Sequence, residues 1–239
     1  MNINKIKQEA EAGDECAQNR LGVMYAKGQG VPQDDTQALN WFRQAAEQGH
    51  AEAQYNLRSL NAYIYAAHAI SSDASSDRRK VFRRYRLGWE SYVGRGGMPQ
   101  DDTQAAHWYR LAADQGHAEA QFNLGWMHDQ GLGVTQDYTQ AVEWYRKAAE
   151  QGHVEAQANL GARYSMGRMG LPQDDEQAAH WLRKAAEQGH AEAQYTLGRM
   201  YANGEGVPQD YAQAAHWFRK AADQGNTWAQ EALIKIRAA

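Results

Sequence analysis

Apolar residues recur along this chain at helical spacing, in two alternating stripes. Ala17, Leu21, Met24 and Tyr25 share one helix face. Ala38, Trp41 and Ala45 follow at i, i+3 and i+7 and share another. Between them stands Gly28-Gln-Gly-Val-Pro32, a turn that supplies positive φ and then a proline stop. Asp34, with Gln37 three residues on, reads as a capping box that opens the second helix. Gly49 closes it as a left-handed cap. The spacing predicts a helix pair, here called A and B.

The pair repeats. Asp101/Gln104, Asp137/Gln140, Asp174/Gln177 and Asp210/Gln213 repeat the capping box. The stretch Ala46–Leu57, AEQGHAEAQYNL, returns almost unchanged at Ala113–Leu124 and Ala186–Leu197. Registered on its glycine, Gly13, Gly49, Gly116, Gly152, Gly189 and Gly225 fall into line, with steps of 36, 67, 36, 37 and 36 residues. A helical unit with a period near 36 is the signature of a solenoid.

Gly22 sits inside helix A, where glycine costs about 1 kcal/mol against alanine. Gly88, Gly125, Gly161 and Gly198 repeat it. The expected benefit is close approach of helix B, with the Trp41-type ring needing the room. The position is Ile234 in the last half-unit and Arg58 in the irregular one, and no B pattern follows either.

The pattern A-x-A-Q-x-x-L-G-x-x-Y, G-x-G-V-P-Q-D, A-x-x-W-x-R-x-A-A-E-Q-G resembles the Sel1-like repeat, a relative of the tetratricopeptide repeat. The resemblance covers nearly the whole chain except about residues 59–80. It implies an all-α, right-handed superhelical solenoid with a concave face lined mainly by A helices. Complete units are expected at 13–48, 116–151, 152–188 and 189–224, with disrupted repeats over 49–115 and the irregular segment at about 59–86. Residues 1–12 resemble a worn helix B, with Lys5 in place of Trp, and form an N-terminal cap helix; 225–239 form a C-terminal one. Members of this family typically act as adaptors or scaffolds.

The irregular segment lacks both the turn and the B stripe. Leu60, Ile64, Ala67 and Ile70 extend helix A, Ser71–Ser76 reads as a loop, and Val81, Tyr85 and Trp89 resume helical spacing. Two consecutive long helices with no B helix between them are expected; a degenerate unit folding in the ordinary way is the alternative. Arg78, Arg79, Lys80, Arg83, Arg84 and Arg86 form the chain's charge run. Residues 71–95 carry seven basic and three acidic side chains, net +4, so the remainder is −8 within a total of −4.

That total gives no global pull toward nucleic acid or membrane. A basic helix can contact phosphate, so nucleic-acid or acidic-surface binding through 78–86 is the alternative function. Cys16, the single cysteine, forms no internal disulfide. The start lacks the apolar core of a signal peptide, and no apolar run approaches membrane-spanning length, so a cytoplasmic location is expected.

Catalytic and metal motifs are missing. No serine has lysine three residues on, and H-E-x-x-H and G-x-S-x-G are absent. The Gly28–Gly30, Gly131–Gly133 and Gly204–Gly206 turns lack a preceding strand and the P-loop lysine. His50, His117, His153 and His190 follow the cap glycine, and His107, His180 and His216 precede the B-helix tryptophan. Equivalent positions in packed helices stand more than about 8 Å apart, while zinc needs ligands near 2 Å. No enzyme activity, cofactor or metal is expected.

Residues that repeat hold the units; residues that vary on helix A are the candidates for recognition. Two before the invariant leucine stand Asn19, Tyr55, Tyr85, Phe122, Ala158 and Tyr195; two after it stand Val23, Ser59, Trp89, Trp126, Ala162 and Arg199. The two positions are four apart and share a stripe. Directly before the leucine stand Arg20, Asn56, Arg86, Asn123, Asn159 and Thr196. By resemblance to tetratricopeptide repeats, Asn56, Asn123 and Asn159 would bond a bound peptide, and Arg86 or Arg20 would meet an acidic group. The expected partner is another protein or peptide, held in the groove by Tyr55, Asn56, Tyr85, Arg86, Trp89, Phe122, Asn123, Trp126, Asn159, Tyr195 and Arg199, and the role is adaptor, or bacterial regulator or inhibitor of one specific protein. Asparagines that bridge neighbouring helices instead are the alternative; loss of folding on substitution would assign them to the core.

Overall fold

The structure, a computed structural model, describes residues 3–72, 76–95, 99–167 and 171–237. Among the described residues all regular structure is α-helix. Two compact units divide the chain, Met1–His117 and Ala118–Ala239. The first contains α1 (Ile3–Glu11), α2 (Glu15–Lys27), α3 (Asp35–Glu47), α4 (Ala51–Ser72), α5 (Ser76–Val93) and α6 (Asp102–Ala113). The second contains α7 (Ala118–Gln130), α8 (Tyr138–Glu150), α9 (Val154–Met166), α10 (Asp175–Glu187), α11 (Ala191–Asn203), α12 (Tyr211–Asp223) and α13 (Thr227–Arg237).

The regular A helices are α2, α7, α9 and α11, each of 13 residues, and α4 and α5 are A helices of greater length. Gly28, Gly167 and Gly204 end three of them in the left-handed conformation, as the sequence predicts. The B helices α3, α6, α8, α10 and α12 each start from an aspartate whose Oδ1 accepts from the glutamine backbone N–H three residues on, as in Asp174 and Gln177 at 2.9 Å. Only that half of the box matches the expectation. The N–H of the capping aspartate donates to helix A instead, from Asp137 to the His128 carbonyl, Asp174 to that of Tyr164 and Asp210 to that of Tyr201. One residue thus starts helix B and fixes the end of helix A, which sets the angle between them.

The interior glycine does admit helix B closely, but the ring is not tryptophan. A Cβ on Gly22 would stand 2.6 Å from Phe42 Cδ1, and on Gly88 2.6 Å from Tyr109 Cδ1. Tyr145 covers Gly125, Leu182 covers Gly161 and Phe218 covers Gly198 in the same way. The residue one past the tryptophan takes the glycine seat. Trp144, Trp181 and Trp217 are also buried, away from the glycine, and Lys147, Lys184 and Lys220 stand over their rings. A lysine three residues on keeps its charge in water while covering the ring.

The thrice-written stretch is the junction from helix B to the next helix A. Gly152, at φ 90°, reverses the chain, and His153 then caps α9, its Nδ1 accepting from the Ala156 N–H at 3.2 Å. An accepting Nδ1 places the ring proton on Nε2, which faces Glu119 Oε2 of the preceding A helix at 2.9 Å. His190 repeats the arrangement on Ala193 and Glu155. The buried glutamine of the stretch ties three helix ends: Gln157 donates to the Ala149 carbonyl at 2.9 Å and accepts from Gln188 at 2.8 Å. Gln194 does the same with the Ala186 carbonyl and Gln224.

The interruption takes the two-helix form. α4 runs 22 residues and α5 runs 18, with no B helix between them. The backbone is helical at Ile70, Ser71, Ser72 and Ser76, so the expected loop shrinks; residues 73–75 lie outside the described residues. Tyr55 meets Tyr92, Tyr63 meets Trp89 and Tyr65 meets Phe82, ascending numbers against descending, the order of an antiparallel pair. Arg95 closes the gap left by the missing B helix. It is buried, pairs with Asp35 at the start of α3 at 2.8 Å, and stands over the rings of Tyr63 and Trp89. Lys27 donates to Gln100 nearby, at 3.2 Å, and burial holds its ammonium below the usual lysine range. Ile234, in the glycine column, is 71 % exposed.

Candidate interaction surface

Helix A positions every proposed recognition residue, and the structure divides them by burial. Tyr55, Asn56, Tyr85, Trp89, Phe122 and Asn123 are buried, which corrects the expectation that this stripe is exposed. Their partners give the reason. Tyr85 lies against Tyr109 and stacks on His117 at 4.6 Å. Phe122 lies against Tyr145 and stacks on His153 at 4.7 Å. The position two before the leucine therefore wedges between its own B helix and the cap of the next A helix. Asn56 bonds Asn19 of the preceding A helix at 3.0 Å, so in this pair the helix-bridging alternative holds. Trp89 and Tyr55 fill the α4–α5 contact. Arg86 pairs with Glu90, which also accepts from the Tyr63 hydroxyl. Burial raises the Tyr63 and Tyr92 hydroxyls above the usual tyrosine range.

Apart from the partly exposed Arg86, the accessible remainder lies in the Ala118–Ala239 unit. Trp126 of α7, Asn159 of α9 and Tyr195 of α11 are partly exposed, and Arg199 is exposed. Successive A helices are adjacent there: His153–Glu119 and Arg163–Asp129 join α9 to α7, and His190–Glu155 joins α11 to α9. In the same register α9 carries only Ala158 and Ala162, both partly exposed. By register, the accessible A face of this unit is a shallow trough floored by two alanines, with Trp126 at one side and Tyr195 and Arg199 at the other. Tyr195 rests one side of its ring on Phe218.

A second pair in this unit escaped the sequence reading. Arg163 and Asp129 form a buried salt bridge of 2.8 Å, with Arg163 also over the Tyr145 ring. Arg163 stands three past its leucine, where α2, α7 and α11 carry Met24, Met127 and Met200; Asp129 stands five past, where α2 and α11 carry Ala26 and Ala202. Departure from both columns at once was the available signal.

Among the described residues no group of three or more His, Cys, Asp or Glu stands close enough to hold a metal ion. Nor is any described helix long and apolar enough to cross a membrane. His180 is exposed on α10, with its ring edge-on to Trp181, and burial, with Lys184 and Arg183, lowers its basicity.

A family model described as Sel1 repeat matches residues 17–50, 84–117, 118–153, 154–190 and 191–226, which is more than half of the chain. The stretch between the first two matches holds most of α4 and the start of α5. A solved Sel1 repeat protein from Oxalobacter formigenes is 36 % identical, with a TM-score of 0.63 over 97 % of this chain and 68 % of that one. A protective antigen present in uropathogenic Escherichia coli strains, displaying an SLR fold, is also 36 % identical, with a TM-score of 0.61 over 98 % of this chain and 51 % of that one. Chitin synthase regulator SKT5 of Malassezia restricta is 30 % identical over 130 residues, 54 % of this chain; the chain spans only 7 % of that regulator's length.

Proposed function

The chain belongs to the Sel1 repeat family, a protein-interaction fold, and we propose that it is a non-enzymatic adaptor that holds a segment of another protein across the A-helix face of the Ala118–Ala239 unit. One observation carries this reading: the residues at variable positions that stay accessible there, Trp126, Asn159, Tyr195 and Arg199, share by register the face that holds the small side chains of Ala158 and Ala162. Rigid aromatics with a polar edge and arginine are the common anchors of protein interfaces. Asn159 is placed to bond a peptide backbone laid over the alanines, and Arg199 to meet a carboxylate. The role is that of a regulator or inhibitor of one partner. The name of a relative, a chitin synthase regulator, supports that class of role.

The test is capture. Immobilised protein is passed through native lysate, and the retained proteins are compared with those held by Tyr195→Ala/Arg199→Ala and by Trp126→Ala. Loss of one specific band at an unchanged thermal midpoint supports the reading. Equal retention by all three proteins overturns it.

A further inference from the structure

We propose that the outer face of α5 is a second docking surface, shaped for an acidic segment of a partner protein. α5 belongs to the Met1–His117 unit, and the inference does not rest on the reading given for the other unit. α5 is 18 residues long, five more than the regular A helices. The added residues carry Arg79 and Lys80, both exposed, and the exposed Arg83 and partly exposed Arg84 follow in the next turn.

The aromatic residues of this helix are accounted for by packing. Phe82 stands edge-on to His117 and Tyr65, Tyr85 is fully buried, and Trp89 lies on Tyr63. That fixes the rotation of α5 and directs its basic stripe outward. The stripe is electrostatically unfavourable as it stands. Arg79 and Arg83 are four residues apart, as are Lys80 and Arg84, and like charges at that spacing repel. Arg79 and Lys80 also lie near the start of the helix, where the macrodipole is positive. The B helices follow the opposite rule, with Asp35, Asp102 and Asp175 in their first turns. Lys80 reaches Asp77, itself exposed, at 3.2 Å. Arg79, Arg83 and Arg84 form no ion pair among the described residues. The anion that this face calls for is not supplied by the described part of its own chain.

Charge selects the class of partner. The chain outside residues 71–95 is net −8, so a long polyanion meets repulsion beyond this patch. A short acidic segment feels only the local field, because screening cuts the reach of charge to about 8 Å at physiological salt. Tyr65, 68 % exposed and beside Phe82, adds an apolar anchor at the edge of the patch.

The experiment measures fluorescence anisotropy on the full chain with three labelled probes: a short peptide of alternating glutamate and tyrosine, its lysine counterpart, and a mixed-sequence single-stranded oligonucleotide. The glutamate peptide is expected to bind and to weaken with added salt, while the lysine peptide does not bind. Arg83→Glu/Arg84→Glu converts both repulsive spacings into attractive ones, so the helix is not put at risk. This variant is expected to weaken the glutamate peptide by about tenfold or more at an unchanged or raised thermal midpoint. Loss of the glutamate peptide from Tyr195→Ala/Arg199→Ala, with binding kept by Arg83→Glu/Arg84→Glu, would place its site in the trough and overturn the proposal. No glutamate-peptide binding at low salt, or binding unchanged by the charge reversal, overturns the proposal. Tighter binding of the oligonucleotide, lost in the same variant, overturns it in favour of nucleic acid.

Discussion

Phe218 lies across Gly198 so closely that a Cβ on the glycine would stand 2.7 Å from the ring's Cδ1. No real Cβ keeps that distance, so Gly198→Ala must push α12 away from α11. The alanine regains about 1 kcal/mol of helix propensity, and overpacking costs about 1–3 kcal/mol. A net loss is expected, read as a lower urea midpoint. An unchanged or higher midpoint would show that α12 gives way without cost.

The Arg163–Asp129 bridge predicts a non-additive pair. Arg163→Met alone leaves the buried Asp129 carboxylate with the Gln130 amide in place of a charged partner, and loss of one partner of a buried pair costs up to about 3–5 kcal/mol. Adding Asp129→Ala restores the residues that the regular repeat carries in both columns. The double variant is expected to return close to the stability of the parent in urea unfolding. A double variant as unstable as the single one would place the cost in lost packing of Arg163 on Tyr145.

His190 acts first as a helix cap. Its Nδ1 accepts from the Ala193 N–H at 3.1 Å, and Asn226 performs the same task for α13 on the Ala229 N–H at 2.9 Å. His190→Asn is therefore expected to hold most of the thermal stability, and His190→Ala to lose about 1 kcal/mol. Equal losses in the two variants would shift the main contribution to the Nε2 contact with Glu155.

Period, caps and the two-helix interruption are legible in the sequence because each follows from local chemistry: an aspartate before a stripe, a glycine after one, a turn that is missing. The seat of the glycine is not. Trp41 and Phe42 are adjacent bulky residues, and spacing alone does not say which looks inward. The recognition stripe was misread for a different reason. Variation between repeats was equated with exposure, yet Tyr85 and Phe122 are both buried against a tyrosine of helix B, Tyr109 in one case and Tyr145 in the other. The histidine caps were readable from the column they share with Asp14 and Asn226, both common capping residues.

The division between repeating scaffold and non-repeating contact surface meets its most direct test at two adjacent residues of α11. Gly198 repeats and is buried under Phe218; Arg199 does not repeat and is exposed. The measurement is the urea midpoint of Gly198→Ala and Arg199→Ala, taken beside capture of the specific partner band. The account predicts a lowered midpoint with capture retained by the folded fraction for the glycine variant, and an unchanged midpoint with capture lost for the arginine variant. An Arg199→Ala protein that unfolds as early as Gly198→Ala, or one that captures as fully as the parent, would contradict it.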